Sequence, residues 1–411
     1  MNIVVVGSGA REHAICHKLR IDGHKVTAVP GNPGIAQLCS IYLGDPKDLV
    51  ADLFVIGPEA PLVDGLADEL RAQGKLVFGP GKDGAMLEGS KAFMKQVAAD
   101  AKVPTAGFAT FDDIDKAIVH LETLSPPYVI KTDGLAAGKG VLVTDDLDHA
   151  KKDVFEKLSG ISFGDAGRRV IIEEGLIGRE VSLLLIVDGH KALALSPATD
   201  HKRLKDDDLG PNTGGMGAYS PVPWFDAISL NRAMTEIVEP TIEKLISLGI
   251  DYRGILYAGL MVTSQGPKLI EYNVRFGDPE AQVVLPRILD DLGVLMFDAA
   301  SGNLQNAPIR FDERAGVAVV MAAKGYPDNV VTGALIQGAD YLDSSGEVLI
   351  FHAGTSRDEN GELRVCGGRV LTVAGYAPSI YEARTKAYLG VEKIAFSNAQ
   401  WRTDVAAHAL S

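Results

Sequence analysis

The chain has 411 residues, 46% hydrophobic and 23% charged, with a formal net charge of −14. That length accommodates roughly two to four domains with a full core, and the acidic excess leaves no basic field to attract nucleic acid. Three scattered cysteines, Cys16, Cys39 and Cys366, show no metal-type or redox-type spacing and suit a reducing cytoplasm, while no stretch approaches the ~18 apolar residues of a membrane span.

The chain opens directly on a strand signal, where a secretion leader would carry a basic start. Residues 2–6, NIVVV, are a continuous apolar run of the kind that buries as a parallel strand. Further strands are expected at KVTAV (25–29), DLFVIG (52–57) and KLVFG (75–79), with helices between them. That alternation predicts an open α/β sheet with ligands at the carboxyl ends of its strands. Gly7 and Gly9 suit a phosphate-binding turn, but Glu12 stands where a dinucleotide fingerprint has its third glycine. Glu59, in the loop GPEAPL (57–62), is either a site carboxylate or a helix-start carboxylate.

Gly89-Ser90-Lys91 opens a helix that ends before Val103-Pro104, and a domain boundary is expected near residue 90. Residues 105–160 read as strand, helix, strand, glycine loop, strand, helix: a small α+β lid. Its centre is YVIKTDGLAAGKGVLVT (128–144), where two β-rich runs flank a loop with Gly134, Gly138 and Gly140. Backbone N–H groups of such a loop can approach an anion, and Lys131 and Lys139 add full positive charge, which is the pattern of a polyphosphate clamp. A hairpin with two solvated lysines is the plainer alternative. Gly140 follows Lys139 where a Walker A loop requires Ser or Thr, and a strand follows rather than a helix.

A strand from Arg169 leads into Glu173, Glu174 and Leu176, and a second strand begins at Glu180 after a turn at Gly178. Residues 196–221 carry too many glycines, prolines and charges for a regular element and are expected to be a long functional loop. Its NTGGMG resembles an anion-binding nest. Residues 228–249 form an amphipathic helix pattern, and ILYAGLMVT pairs with PKLIEYNVRFG. Strand alternation puts Glu271, Asn273 and Arg275 on one face. Three polar groups facing a core unpaired would be costly, so they are expected to line a cleft, where carboxylate and amide oxygens suit Mg²⁺; a surface strand with a salt bridge is the alternative. From Arg310 the chain is β-rich until a final helix from Ser379. The expected fold is therefore α/β and α+β, with an N-terminal open parallel α/β domain over 1–89. A central domain over 90–305 carries its lid at about 105–175, and a C-terminal α+β domain covers 306–411.

GSGAREH, GPEAPL, LEGSKAF, KTDGLAAGKGV, IIEEGLIGRE, DHKR, GPNTGGMGAYSP, YAGLM, EYNVRFGDPE, FHAGT and GGRVL occur in one order. With them the chain resembles the glycinamide ribonucleotide synthetase (phosphoribosylamine–glycine ligase) family of the ATP-grasp superfamily, over nearly its whole length. The resemblance implies an ATP-grasp ligase of purine biosynthesis that uses ATP with Mg²⁺ or Mn²⁺. It would join glycine to 5-phosphoribosylamine through glycyl phosphate, as a cytoplasmic monomer or weak dimer with small-molecule substrates and no nucleic acid or membrane partner. Position by position, Lys91 and Lys131 resemble ATP-phosphate lysines under the lid loop with Gly134, Gly138, Lys139 and Gly140. Glu173, Glu174 and Leu176 resemble the adenine hinge, and Glu180 the ribose carboxylate. Glu271 and Asn273 match metal ligands. Arg275 resembles the arginine serving the acid being phosphorylated, and Asp278 is implied to take an amine. The resemblance places further substrate contacts at Glu59, Asp200, Lys202, Asn212, Thr213, Gly214, Gly215 and Met216. It puts the 5′-phosphate between Gly9, Arg11 and Arg369. Two departures stand out: YAGLM lacks the additional acidic metal ligand of many ATP-grasp enzymes, and the chain between Tyr42 and Leu53 is about ten residues short, within what surface loops tolerate.

Overall fold

The N-terminal sheet is parallel throughout, as its continuous apolar runs require. In the computed structural model, which describes residues 1–134, 140–162, 168–340, 342 and 347–409, its strands lie in the order Ser40–Ile41, Lys25–Pro30, Asn2–Gly7, Leu53–Ile56, Val77–Phe78. Ile3 and Val5 face the helix Ala10–Ile21 through Ala14, Ile15 and Leu19. Val4 and Val6 face the other way, into Phe54, Ile56 and Leu62. A strand buried on both sides has no polar face, which is why the run reads NIVVV. Between Ile41 and Leu53, where the chain is short, a single 3₁₀ turn, Pro46–Asp48, makes the connection.

The lid is a four-stranded antiparallel sheet in the order Phe108–Phe111, Val170–Glu174, Tyr128–Thr132, Val141–Thr144. Helices Ile114–Leu121 and Leu147–Leu158 close a small core of its own from Ala117, Leu121, Ile130, Ala150, Val154 and Ile172. The larger central sheet runs Ala192–Ala194, Arg179–Asp188, Arg253–Thr263, Gly266–Asn273, again antiparallel. Its last pair slips register at Gly259, where Ile270 is the extra residue of a bulge.

Two sequence expectations give way here. Residues 196–221 are not an irregular loop. Arg203–Lys205 and Leu209–Asn212 form a two-stranded ribbon, and Thr199–Asp200 and Gly217–Ser220 join a five-stranded sheet with Ala315–Ala322, Arg369–Ala377 and Leu349–His352. The C-terminal sheet thus takes two strands from far upstream, with the helix Ile380–Glu392 packed on it through Ala383, Ala387 and Val391. Glycine-rich, charged segments become strands when a partner edge satisfies their backbone, a tertiary effect that local composition cannot register. The helix expected over 228–249 is broken into Ala227–Ala233, a π turn at Met234–Val238, and Glu239–Ser247. Pro240 has no N–H to donate back into the preceding turn, and the wide turn accommodates that loss.

Candidate active site

The cleft lies between the lid and the central sheet, and each side sends charged groups into it. From the lid, Lys131, next to last in its strand, has Nζ 2.8 Å from Glu173 Oε1 and donates to Ile270 O at 3.2 Å. The acceptor is the bulge carbonyl of the facing strand, so the bulge, a feature common beside functional sites, serves to hold a lid lysine. Lys91 starts the helix Lys91–Asp100 and donates to Gly134 O at 3.2 Å. Burial lowers its ammonium pKa, opposed by the Glu271 carboxylate. Asp133 accepts from Ser90 Oγ and Ala92 N, docking the lid edge on that helix start. Thr132 N donates to Gly140 O at 2.9 Å across the neck of the glycine loop, while Gly138 and Lys139 lie outside the described residues.

From the central sheet, Glu271 and Asn273 face the same cleft and are half-buried. Burial alone would push the Glu271 carboxyl up, but Lys202, Lys131, Lys91 and Arg275 together hold it below the usual range. Arg275 follows, with Nη2 donating to Asn273 Oδ1 at 3.3 Å and Nε to Glu59 Oε2 at 3.3 Å. The strand carries Glu271 and Asn273 and ends there, so of the three expected on it Arg275 lies two residues beyond, where Glu59 reaches it from the N-terminal domain.

At the hinge the expected roles divide. Glu173 is buried beneath Lys95 (2.9 Å) and Lys131, so its side chain anchors lysines and does not reach out to a base. Glu174 turns outward and accepts from Gly107 N at 3.0 Å, and Leu176 is half-buried. Glu180 is exposed and pairs with Lys202 at 2.5 Å. Lys202 also lies 3.7 Å from Asp200. Burial raises the Asp200 carboxyl to about 7 against the pull of Lys202. The surrounding carboxylates outweigh burial at Lys202 and raise its pKa.

The third cluster joins all parts of the chain. Arg369 Nη2 lies 3.1 Å from Asp278 Oδ2, and its Nη1 donates to Gly214 O (2.6 Å) and Asp278 O (2.7 Å). A Cβ on Gly215 would stand 2.5 Å from Pro279 Cδ, and its φ is +112°, so only glycine lets this turn pack on Asp278. Gly9 approaches from the first βα turn, with Asp278 Oδ2 3.8 Å from where its Cβ would be. Arg11 is buried, tied to Glu12 at 2.5 Å and donating to Phe276 O. Thr213 donates to Lys202 O and accepts from Gly215 N, and Asn212 Nδ2 reaches Val141 O at 3.4 Å on the lid. Met216 has a fully buried side chain, its N–H donates to His201 O and its carbonyl accepts from Val320 N.

Sequence reasoning missed Lys95, whose ammonium burial lowers to about 8. It missed Glu88, bonded to Arg275 Nη2 at 2.8 Å, and Glu280, which accepts from Ser182 and Tyr257 hydroxyls. A charged residue at a helix position that the apolar pattern buries was the available signal for Lys95; nothing local marks the other two. The cysteines were read by spacing alone; Cys16 is buried, and Cys39 Sγ donates to Ile35 O at 3.4 Å.

Family models of phosphoribosylglycinamide synthetase match consecutive stretches: its N domain over 1–88, its ATP-grasp (A) domain over 89–281 and its C domain over 316–408. The phosphoribosylamine–glycine ligase of Mesorhizobium japonicum is 45% identical over 423 residues, covering 100% of this chain and 99% of that protein. That of Leifsonia xyli subsp. xyli is 46% identical over 424 residues, covering 100% of both. The crystal structure of phosphoribosylamine–glycine ligase from Thermotoga maritima superposes with a TM-score of 0.85 at 34% identity, covering 99% of this chain and 100% of that one. The biotin carboxylase domain of the Hydrogenobacter thermophilus 2-oxoglutarate carboxylase shares the fold alone, with a TM-score of 0.73 at 14% identity over 97% of this chain and 91% of that one.

Proposed function

The chain belongs to the phosphoribosylglycinamide synthetase family, and from that premise we propose how its residues divide the work. It is an ATP-dependent carbon–nitrogen ligase of purine biosynthesis that joins glycine to phosphoribosylamine. A carboxylate is a poor electrophile, so we read the reaction as two transfers. A glycine carboxylate oxygen attacks the γ-phosphorus of ATP and ADP leaves, giving glycyl phosphate. The ribosylamine nitrogen then attacks its carbonyl carbon, phosphate leaves, and the amide forms with loss of a proton. Positioning and charge neutralisation are the protein's main tasks in such chemistry.

In this reading Lys91 and Lys131 hold the ATP phosphates beneath the glycine loop of Gly134, Gly138, Lys139 and Gly140. Backbone groups from Glu174 to Leu176 receive adenine, and Glu180, released from Lys202, takes the ribose hydroxyls. Arg275 faces the carboxyl group being activated, as a donor to developing negative charge. Phosphoribosylamine lies where Gly9, Asp278, Arg369 and the Gly214–Gly215 turn meet, with Asp278 near the amine and Arg369 shared between Asp278 and the 5′-phosphate. Asp200 and Lys202 border the same space.

The donor set fits Mg²⁺ or Mn²⁺. Glu271 is kept anionic by its cationic neighbours and Asn273 offers an amide oxygen two residues on, both hard donors. Among the described residues no three His, Cys, Asp or Glu side chains gather for a metal, so phosphate oxygens and water would complete the shell. A cation held there would supply neutralisation of the triphosphate charge. Among the described residues no helix is long and apolar enough to cross a membrane, and we place the enzyme and its small-molecule substrates in the cytoplasm.

The observation that carries this reading is the meeting of Lys131, bonded to the Ile270 carbonyl, with Arg275, bonded to Asn273, on either side of Glu271. ADP release with glycine and freshly made phosphoribosylamine, omitting each in turn, tests it. Release must require both; equal rates without one of them would overturn the assignment.

A further inference from the structure

Arg275 is aimed by a residue that no motif marks. Glu88 sits in the last turn of the helix Lys82–Gly89, its side chain 9% exposed. Its Oε2 accepts from Val274 N at 2.8 Å, and its Oε1 accepts from Arg275 Nη2 at 2.8 Å. One carboxylate therefore fixes both the backbone just beyond Asn273 and the guanidinium that follows. Glu59 accepts from Arg275 Nε, a different donor of the same planar group. A guanidinium presents its donors in a rigid fork, so carboxylates on two of those donors fix its orientation, with Nη2 against Asn273 Oδ1. Glu88 also precedes Lys91 by three residues, so one short segment carries both a lysine of the cleft and the brace of its arginine.

We propose that Glu88 is a positioning residue for the transfer chemistry: it holds the Arg275 guanidinium, and the strand end beside Asn273, in the orientation that meets the reacting carboxyl group. The proposal rests on Arg275 acting there. A glutamine at 88 can still accept one N–H but has lost the charge and one acceptor, so Arg275 turns toward Glu59 and away from the reacting atoms. A small misplacement of a positioned group lowers the rate of transfer while leaving nucleotide contacts in place.

The test is a double-mutant cycle on the full chain, reading kcat, the KM of each substrate, and the melting temperature. Glu88→Gln should lower kcat by about tenfold or more, with the KM for ATP changed by less than about twofold. In an Arg275→Ala background the same substitution should add less than about twofold, because its target is gone. A lowered melting temperature with wild-type kcat per folded molecule would make Glu88 a mere latch and overturn the proposal. So would losses that multiply in the double variant. Wild-type kcat in Arg275→Ala alone would remove Arg275 from the chemistry, and the proposal with it. A wild-type chain that releases no ADP with glycine and phosphoribosylamine fails the functional reading instead. Should Glu88→Gln not fold, Glu88→Asp keeps the charge and withdraws it by one methylene; full kcat in that variant overturns the proposal equally.

Discussion

Glu271 is a carboxylate in a site where burial alone would favour its protonated form, and the cations Lys202, Lys131, Lys91 and Arg275 reverse that preference. Its charge is therefore a functional quantity, separable from its shape. Glu271→Gln preserves volume and hydrogen-bonding length but leaves those cations and any bound divalent ion unbalanced. Turnover should fall by roughly a hundredfold or more, with far-ultraviolet circular dichroism unchanged. A folded variant with near wild-type turnover at ordinary Mg²⁺ would show that Glu271 is not a ligand. This residue was singled out in the sequence because strand alternation pairs it with Asn273, two polar groups on one face of an apolar run, although the strand ends before Arg275. Glu88 was not, since its partner lies 187 positions away and no periodicity spans that distance. Arg369 was expected between the N-terminal turn and the C-terminal module, and the sequence could not show that Asp278 and the Gly214 carbonyl occupy its guanidinium.

At the scale of elements, the first βα turn shows how glycines and a carboxylate make one another necessary. Glu12 accepts from Gly9 N at 2.7 Å and fills the slot between the ends of two parallel strands. A Cβ on Gly57 would stand 2.2 Å from Glu12 Oε1 and 2.5 Å from its Cγ. Glu12 is buried and pinned by Arg11 and by Gly9 N, so it cannot swing aside. Gly57→Ala should therefore destabilise by roughly 1–3 kcal/mol through overpacking. Gly74→Ala, at φ +76° with open space around it, should cost only about 1 kcal/mol of backbone strain. Urea melts of both variants check the order, and equal losses would mean the turn yields. The sequence marked Glu12 as a departure from a dinucleotide turn, without showing that it is the turn's own filling. Apolar runs such as NIVVV revealed their strands because burial on both faces is a local demand. Gly217–Ser220 did not, because it becomes a strand only against Ala315–Ala322, about a hundred residues later.

Across the whole molecule, buried neutral histidines tie distant parts of the chain and set its response to acid. His13, on the first helix, accepts at Nδ1 from His352 N at 2.9 Å, joining the N-terminal domain to the C-terminal sheet. His201 accepts at Nε2 from Ala406 N at 3.0 Å, joining the 199–220 segment to the chain's last turns. Both bonds require an unprotonated ring nitrogen. Burial lowers His201 and His352 from 6.5 to about 4, with Arg402 adding to it at His201, and burial lowers His13 well below 6.5 with help from His352 and His17. An unfolded histidine takes its proton near 6.5 while the folded ones resist it, so the unfolded state binds more protons in that window. Stability should be full above about 6.5 and fall as pH drops toward about 4, each shift of this size being worth on the order of 3 kcal/mol. Asp200, raised to about 7 by burial, and Glu88, raised by burial, run the opposite way and favour the fold as pH falls. Asp153 and Asp298 are raised by burial as well, but histidines of the unfolded chain take up protons near 6.5, above the ordinary carboxyl range, so between about pH 7.5 and 5 the net sign is destabilising. The urea midpoint should thus be clearly lower at about pH 5 than at about pH 7.5. His201→Gln keeps an acceptor for Ala406 N and cannot titrate, so its midpoint should fall less over the same interval. Equal midpoints at the two pH values, or a fall in His201→Gln as steep as in the wild type, would mean that these junctions open or hydrate before they are forced to protonate.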